Sequence, residues 1–178
     1  MGKMVVDLHA AIDASANLDF VDSTKIFVVG YSLGATVGLY AAALDKRIAG
    51  VVSVCGFTPM RLDTPDKGIE GIKAYSHLHG LLPRLGFFVG NEARIPYNFD
   101  EILASIAPRS LLVIAPKLDK DATFKDVQNC ITKTKKFINC IISHTTLSHT
   151  TFKFFHLMII IDFLMKCEKK FMNGQTRG

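Results

Sequence analysis

The chain has 178 residues, 49% of them hydrophobic and 21% charged, which is sufficient for one folded domain and excludes the composition of a disordered protein. Its formal charge is +5, but no basic stripe is interleaved with aromatic residues, so we expect no nucleic-acid partner. Residues 154–165 form the most apolar stretch, which is too short to span a membrane. The four cysteines lack metal-ligand spacing and the amino terminus lacks an apolar signal region. We therefore expect a cytoplasmic protein without a metal or an organic cofactor.

The apolar pattern predicts alternating helices and strands along the chain. Residues 4–13 have the spacing of an amphipathic helix, and residues 25–29 form a run typical of a buried parallel strand. A small-residue helix over 35–43 and a second buried strand over 51–55 follow. After a long excursion, the order continues with a helix over 101–107, a strand over 110–114 and a helix from about 123 toward 135. This order predicts an α/β fold with a mostly parallel sheet and flanking helices.

A Gly-x-Ser-x-Gly motif joins the first strand to the next helix at Gly30, Ser32 and Gly34. A serine hydroxyl is a weak nucleophile that needs exposure, a base and an oxyanion hole. In a nucleophile elbow the turn is so tight that we expect side chains at positions 30 and 34 to clash with neighbouring backbone. The turn should expose Ser32, and the Leu33 N–H at the helix start should donate to an oxyanion. The alternative is a glycine-rich turn whose serine merely caps the helix.

Two segments carry a family resemblance. Residues 25–56 resemble the elbow region of the dienelactone hydrolase and acetyl xylan esterase branch of the α/β-hydrolases. Residues 106–119, Ile-Ala-Pro-Arg-Ser-Leu-Leu-Val-Ile-Ala-Pro-Lys-Leu-Asp, resemble the later strand of that branch and the loop that delivers the triad acid. The resemblance implies that Asp119 is the acid, with Asp121 as the alternative and a solvated loop aspartate as the other interpretation. It also implies a partial α/β-hydrolase fold. The excursion over residues 56–100 is too long for a simple connection, and we interpret it as a helical insertion near the site that includes residues 72–82.

Two parts of such a site are missing from the sequence. The strands that precede the elbow in this family, and the loop that supplies the second oxyanion donor, are not encoded, so we expect a fragment. The triad order places the base after Asp119, where His144, His149 and His156 qualify by order alone, and His149 and His156 are kept as weak candidates. His77 and His79 precede the acid and are interpreted as surface residues. The base is therefore unassigned.

The chain divides into a partial hydrolase domain over residues 1–136 and an aberrant or divergent tail over residues 137–178. The tail is rich in Ile, Thr and His without clean periodicity. Reading each codon one base earlier across residues 157–174 permits Pro-Asp-Asp-Tyr-Asn-Arg-Phe and an amphipathic continuation similar to the ending of related hydrolases. We therefore hypothesise that the residues after about 136 are read out of frame. The alternative is a true tail with a mixed apolar helix over 152–170.

These features predict a serine hydrolase that acts on a small-molecule ester or related acyl compound. We expect the chain to be weak or inactive, because loss of the base or of an oxyanion donor costs orders of magnitude in rate. Two alternatives stay open: a fragment of a serine peptidase of the prolyl oligopeptidase type, whose elbow is similar, and a non-catalytic binding module on a hydrolase scaffold. The open sheet edge also predicts self-association.

Overall fold

The fold is known from a computed structural model that describes residues 1–68, 70–78, 80–144 and 157–160. The described strands are β1 (Ile26–Tyr31), β2 (Ile48–Val54), β3 (Ser110–Ile114) and β4 (Leu157–Ile160). The described α-helices are α1 (Gly2–Ala16), α2 (Leu33–Leu44), α3 (Phe99–Ile106) and α4 (Phe124–His144). The strands form one parallel sheet in the order β1-β2-β3-β4, which confirms the predicted α/β class.

The strand order places the carboxyl ends of β1, β2 and β3 side by side. The last paired row runs through Tyr31, Val54 and Ile114, which are partners across the two junctions. Each strand is added on the same side of its predecessor, and parallel crossovers are right-handed, so the connecting helices lie on one face of the sheet. On this face α2 approaches closely, because a Cβ placed on Gly38 would lie 3.0 Å from Cγ1 of Val28.

The core lies between this helical layer and the sheet. Small residues of α2, among them Ala41 and Ala42, are fully buried and let the helix approach the strands. The largest fully buried side chains of the core come from α2, the strands, α3 and α4, and also from the insertion: Leu39, Ile48, Leu103, Ile106, Leu111, Ile131, Ile72 and Ile95. The predicted strand runs are therefore buried by the predicted helices.

The other face of edge strand β1 is exposed. Phe27, Val29 and Tyr31 alternate along the strand and are 60%, 72% and 71% exposed. Within the described part of the chain, β1 pairs with β2 only, so one row of its backbone N–H and C=O groups is unpaired by the sheet. This is the open edge on which the expected self-association depends, and the association itself stays a prediction.

The insertion and the tail differ from the expected elements. The helix expected over 72–82 is reduced to a π-helical turn, Ala74–Leu78. The rest of the insertion carries three 3₁₀ turns: Met60–Leu62, Pro83–Phe88 and Glu92–Arg94. Helix α4 continues through residue 136 to 144, and residues 157–160 form β4, so the alternative helix over 152–170 is wrong at those four positions. The reading-frame hypothesis stays a prediction. None of the described helices is long and apolar enough to cross a membrane.

Candidate active site

Ser32 occupies a strained turn between β1 and α2. Its backbone has φ 50° and ψ −121°, a conformation that is rare for residues with a Cβ and that clusters at functional sites. The Ser32 N–H donates to the carbonyl oxygen of Val54 at 2.9 Å, which ties the turn to the end of β2. The residue is exposed, and its side chain makes no capping hydrogen bond to α2. The capping alternative is therefore wrong, and the hydroxyl is free of the helix.

The two glycines of the motif differ in the space available for a side chain. A Cβ on Gly30 would lie 2.4 Å from the carbonyl carbon and oxygen of Gly34 and 2.5 Å from the Ala35 nitrogen, all backbone atoms that cannot move aside. The expected clash at position 30 is confirmed. A Cβ on Gly34 would meet nothing within 4 Å among the described residues, so the expected clash at position 34 is wrong. The atoms of Gly34 that crowd position 30 are backbone atoms, which any residue at position 34 would have, so this contact requires glycine only at position 30.

Leu33 is the first residue of α2, a helix of 12 residues. The N–H of a first helical residue has no acceptor within its helix, and the helix dipole adds partial positive charge there. The first N–H groups that bond to the Ser32 carbonyl oxygen at the start of α2 are those of Ala35 and Thr36, at 3.0 and 3.1 Å. The Leu33 N–H is thus placed beside Ser32 at a helix start, and its role as an oxyanion donor stays a prediction.

Asp119 lies in the loop after β3 and is half-buried. Its Oδ1 accepts hydrogen bonds from the backbone nitrogens of Asp121 and Ala122 at 2.9 and 3.3 Å. Asp121, the alternative acid, is exposed, and its carbonyl oxygen accepts from the Thr58 hydroxyl at 2.8 Å. Asp119 is therefore a fixed carboxylate rather than a freely solvated one. Its assignment as the triad acid stays a prediction.

Cys55 lies between the elbow and this loop, at the carboxyl end of β2. Its N–H donates to the Ile114 carbonyl oxygen at 2.9 Å, and its φ of 51° is positive, as is the φ of 50° at Ser32. Burial raises the pKa of the Cys55 thiol, and the adjacent Asp119 carboxylate raises that pKa further. Because Ser32, Cys55 and Asp119 follow three neighbouring parallel strands, the structure brings the predicted nucleophile and acid to the same edge of the sheet.

A buried carboxyl in the insertion was missed by the sequence interpretation. Asp63 is only 5% exposed. Burial raises the pKa of Asp63 to about 7; nearby Lys67 opposes this change in the pKa, while Glu92 and Asp121 add to it. Burial also raises the pKa of Tyr75, which lies beside Asp63 and Asp121. The insertion therefore brings a proton-holding carboxyl against the loop that carries the predicted acid.

The sequence carried little signal for these contacts. Asp63 and Thr58 lie in segments without helical or strand periodicity, so neither had a predictable neighbour. One glycine is informative after the fact: Gly71 has φ 62°, and a Cβ there would lie 2.2 Å from the Asp63 carbonyl oxygen. The chain therefore folds tightly on itself at Asp63, which a lone glycine in a sequence does not reveal.

The structure does not supply a base for Ser32 from the histidines whose side chains it describes. His9 Nε2 is 3.2 Å from the Ala41 carbonyl oxygen in the contact between α1 and α2. His77 is exposed, as predicted, and its Nδ1 is 2.7 Å from the Ser76 hydroxyl. The base stays unassigned. Both weak candidates and one insertion histidine lie outside the described residues: His149, His156 and His79.

Among the residues that the structure describes, no group of three or more His, Cys, Asp or Glu side chains could hold a metal ion. The polar groups at the sheet edge are instead a hydroxyl, a thiol and carboxylates. This set suits covalent and acid–base chemistry on an organic substrate.

Comparisons with known proteins agree with this geometry. A profile of the phospholipase/carboxylesterase family matches residues 2–90. The polyketide transferase ATR5 of Stachybotrys chlorohalonatus is 31% identical over 121 residues, which cover 59% of this chain and 41% of that protein. The polyketide transferase af380 of Aspergillus fumigatus is 42% identical over 101 residues, which cover 56% of this chain and 32% of that protein. The chain thus spans well under half the length of these relatives.

Solved structures share the fold at low identity. A promiscuous CE15 esterase from a marine bacterial metagenome aligns with a TM-score of 0.67 and 21% identity, covering 76% of this chain and 34% of that one. The glucuronoyl esterase catalytic domain of Hypocrea jecorina aligns with a TM-score of 0.65 and 20% identity, covering 88% of this chain and 44% of that one. The narrower dienelactone hydrolase and acetyl xylan esterase branch stays a prediction. The sheet, the elbow and the match over residues 2–90 show that the chain belongs to the phospholipase/carboxylesterase family of α/β-hydrolases.

Proposed function

We propose that Ser32 is the nucleophile of an ester hydrolase that works through an acyl-enzyme. The observation that carries the proposal is the backbone of Ser32, whose φ of 50° at the junction of β1 and α2 leaves an exposed, uncapped hydroxyl. The family match over residues 2–90 supports the same chemistry. A small-molecule ester or related acyl compound is the substrate class that we infer.

The residues divide the reaction into two steps. Ser32 Oγ attacks the ester carbonyl carbon while its proton passes to a base; the C–O bond of the ester breaks, and an alcohol leaves. Water then cleaves the serine ester and releases the acid. In each step the Leu33 N–H donates to the oxyanion. Asp119 orients the base and stabilises its positive charge.

We infer that turnover by this chain is slow. The described histidine side chains of His9 and His77 bond to Ala41 and Ser76 rather than to Ser32. A serine hydroxyl without a hydrogen-bonded base is a weak nucleophile, and loss of the base costs orders of magnitude in rate.

Labelling with a fluorophosphonate, located by peptide mapping, tests the nucleophile. We expect slow labelling of Ser32 in the folded chain, at least roughly a hundredfold below that of a serine hydrolase with a complete triad. Ser32→Ala should abolish the label, whereas Ser105→Ala, which removes an exposed hydroxyl of α3, should leave it unchanged. A folded chain that is never labelled at Ser32 contradicts the proposal, and fast labelling contradicts only the slow turnover.

The fungal relatives favour a second candidate, in which an acceptor other than water takes the acyl group. Both are named polyketide transferases, at 31% and 42% identity. An activated ester offered with and without a primary alcohol separates the two candidates, because transfer yields a new ester and hydrolysis an acid. Binding of an ester analogue that is equal in wild type and Ser32→Ala, without either product, favours a non-catalytic module instead.

A further inference from the structure

We propose that Thr58 is a positioning residue that fixes the loop carrying Asp119. This inference rests on the proposed function for its catalytic meaning, but its structural content is separate. The Thr58 hydroxyl donates to the Asp121 carbonyl oxygen at 2.8 Å across 63 residues of sequence. The Asp121 N–H in turn donates to Asp119 Oδ1 at 2.9 Å. Asp121 therefore makes both contacts, with Thr58 through its carbonyl oxygen and with Asp119 through its N–H.

The placement of Thr58 makes this contact rigid. Thr58 is 9% exposed and follows Gly56, whose carbonyl oxygen accepts from the Thr36 hydroxyl at 2.5 Å. A Cβ on Gly56 would lie 2.1 Å from Ser53 Oγ and 2.8 Å from Ala35 Cβ, so this segment is pressed against β2 and α2. It is held to the elbow helix at one end and to the acid loop at the other.

The segment 56–58 therefore sets the separation of nucleophile and acid. Thr36 lies one helical turn after Ser32, and its hydroxyl also approaches the Ser32 carbonyl oxygen at 3.3 Å. Gly68 also packs closely against the loop that carries Asp119, because a Cβ on Gly68 would lie 3.2 Å from the Asp121 Cα. Catalytic groups must be held within fractions of an ångström, so a hydroxyl that fixes the acid loop controls the orientation of the acid.

The test compares Thr58→Val with Thr58→Ser. Valine keeps the shape and removes the donor, whereas serine restores it. Thr134→Val is the matched control, because Thr134 is also buried and its hydroxyl donates to the Cys130 and Asp100 carbonyl oxygens at 3.0 and 3.3 Å, away from the acid loop. Amide hydrogen exchange by NMR at residues 121 and 122 reports the loop, and fluorophosphonate labelling of Ser32 reports the site.

Thr58→Val should speed exchange at these two amides roughly two- to tenfold, the expected effect of one lost hydrogen bond. It should also slow labelling of Ser32. Thr58→Ser should restore both, and Thr134→Val should change neither. Because Thr58 acts through Asp119, adding Thr58→Val to Asp119→Asn should slow labelling no further.

Unchanged exchange at residues 121 and 122 in Thr58→Val, or the same change in Thr134→Val, overturns the inference. So does a double variant that is slower than Asp119→Asn alone. If the wild type is never labelled while the exchange effect is present, the nucleophile proposal fails and the loop inference stands. The two proposals are therefore separately testable.

Discussion

Replacing Asp63 with asparagine perturbs the most deeply buried titratable carboxyl beside the acid loop while keeping its shape. The folded chain surrounds this group with protein: it is 5% exposed. Burial raises its pKa from 3.8 to about 7, against the attraction of Lys67 and with the repulsion of Glu92 and Asp121. The folded state therefore favours the protonated carboxyl, whereas the unfolded chain ionises it near its ordinary pKa.

The pH dependence of the free energy of unfolding is set by which state, folded or unfolded, binds more protons. Between pH 3.8 and about 7 the folded state holds the proton and the unfolded state does not. The stability from this group is therefore fully present below the unfolded pKa and is lost as the pH rises through the folded pKa. From pH 5 to pH 8 the loss spans about two pKa units, or roughly 2–3 kcal/mol of the free energy of unfolding. Asparagine has no such proton to lose.

Urea unfolding at pH 5 and pH 8 measures the effect. The free energy of unfolding of Asp63→Asn, relative to wild type, should be greater at pH 8 than at pH 5 by about that amount. Asp66→Asn is the control, since Asp66 is exposed and a hydrogen bond from Thr64 lowers the pKa of its carboxyl. That carboxyl is ionised in both the folded and the unfolded chain at pH 5 and pH 8, so the difference between Asp66→Asn and wild type should be the same at both pH values. A difference between wild type and Asp63→Asn that is equal at both pH values refutes the buried-carboxyl reasoning.

Two further perturbations test the elbow and the open face. Gly30→Ala should lower the free energy of unfolding by about 1–3 kcal/mol, because its Cβ meets backbone at 2.4 Å. Gly34→Ala should be neutral or stabilise by up to about 1 kcal/mol, since its Cβ meets open space at a helical position; equal losses in the two variants contradict this account. We propose that the open edge of β1 self-associates, so Val29→Lys, which places a charge at a position of this edge strand that is 72% exposed, should shift a sedimentation concentration series toward monomer. A wild type that is monomeric throughout the series contradicts the association.

The sequence was sufficient to predict the part of the site that depends on local pattern. The run that became β1 is apolar and β-branched, and the glycine and serine positions after it impose a turn that only a few backbone conformations satisfy. Parallel order then follows from alternating strands and helices. As a result, the position of Ser32 after the first strand was predictable before the sheet was known, whereas Asp119 was singled out only by the family resemblance of residues 106–119.

The rest of the site depends on contacts between distant segments whose sequences show no helical or strand periodicity. Thr58 and Asp121 are 63 residues apart, and nothing in either neighbourhood indicates the other. Asp63 lies in a turn-rich stretch where an aspartate is ordinarily solvated, and only the fold buries it. The clash expected at Gly34 failed for a related reason, because space around a helix start depends on what packs against it.

Backbone strain at the sheet edge depends both on the local sequence pattern and on contacts between distant segments. Ser32 and Cys55 both adopt φ near 50° at the ends of adjacent strands, and conformations of this kind cost on the order of 1–3 kcal/mol each. Such strain persists only where neighbouring contacts over-determine the backbone, and here each strained N–H donates to the end of the next strand, at Val54 and Ile114. Both residues are thus held in place by the sheet rather than by their own preferences. An edge built in this way exposes the Ser32 residue, as the proposed nucleophile requires, and places the Cys55 thiol beside Asp119.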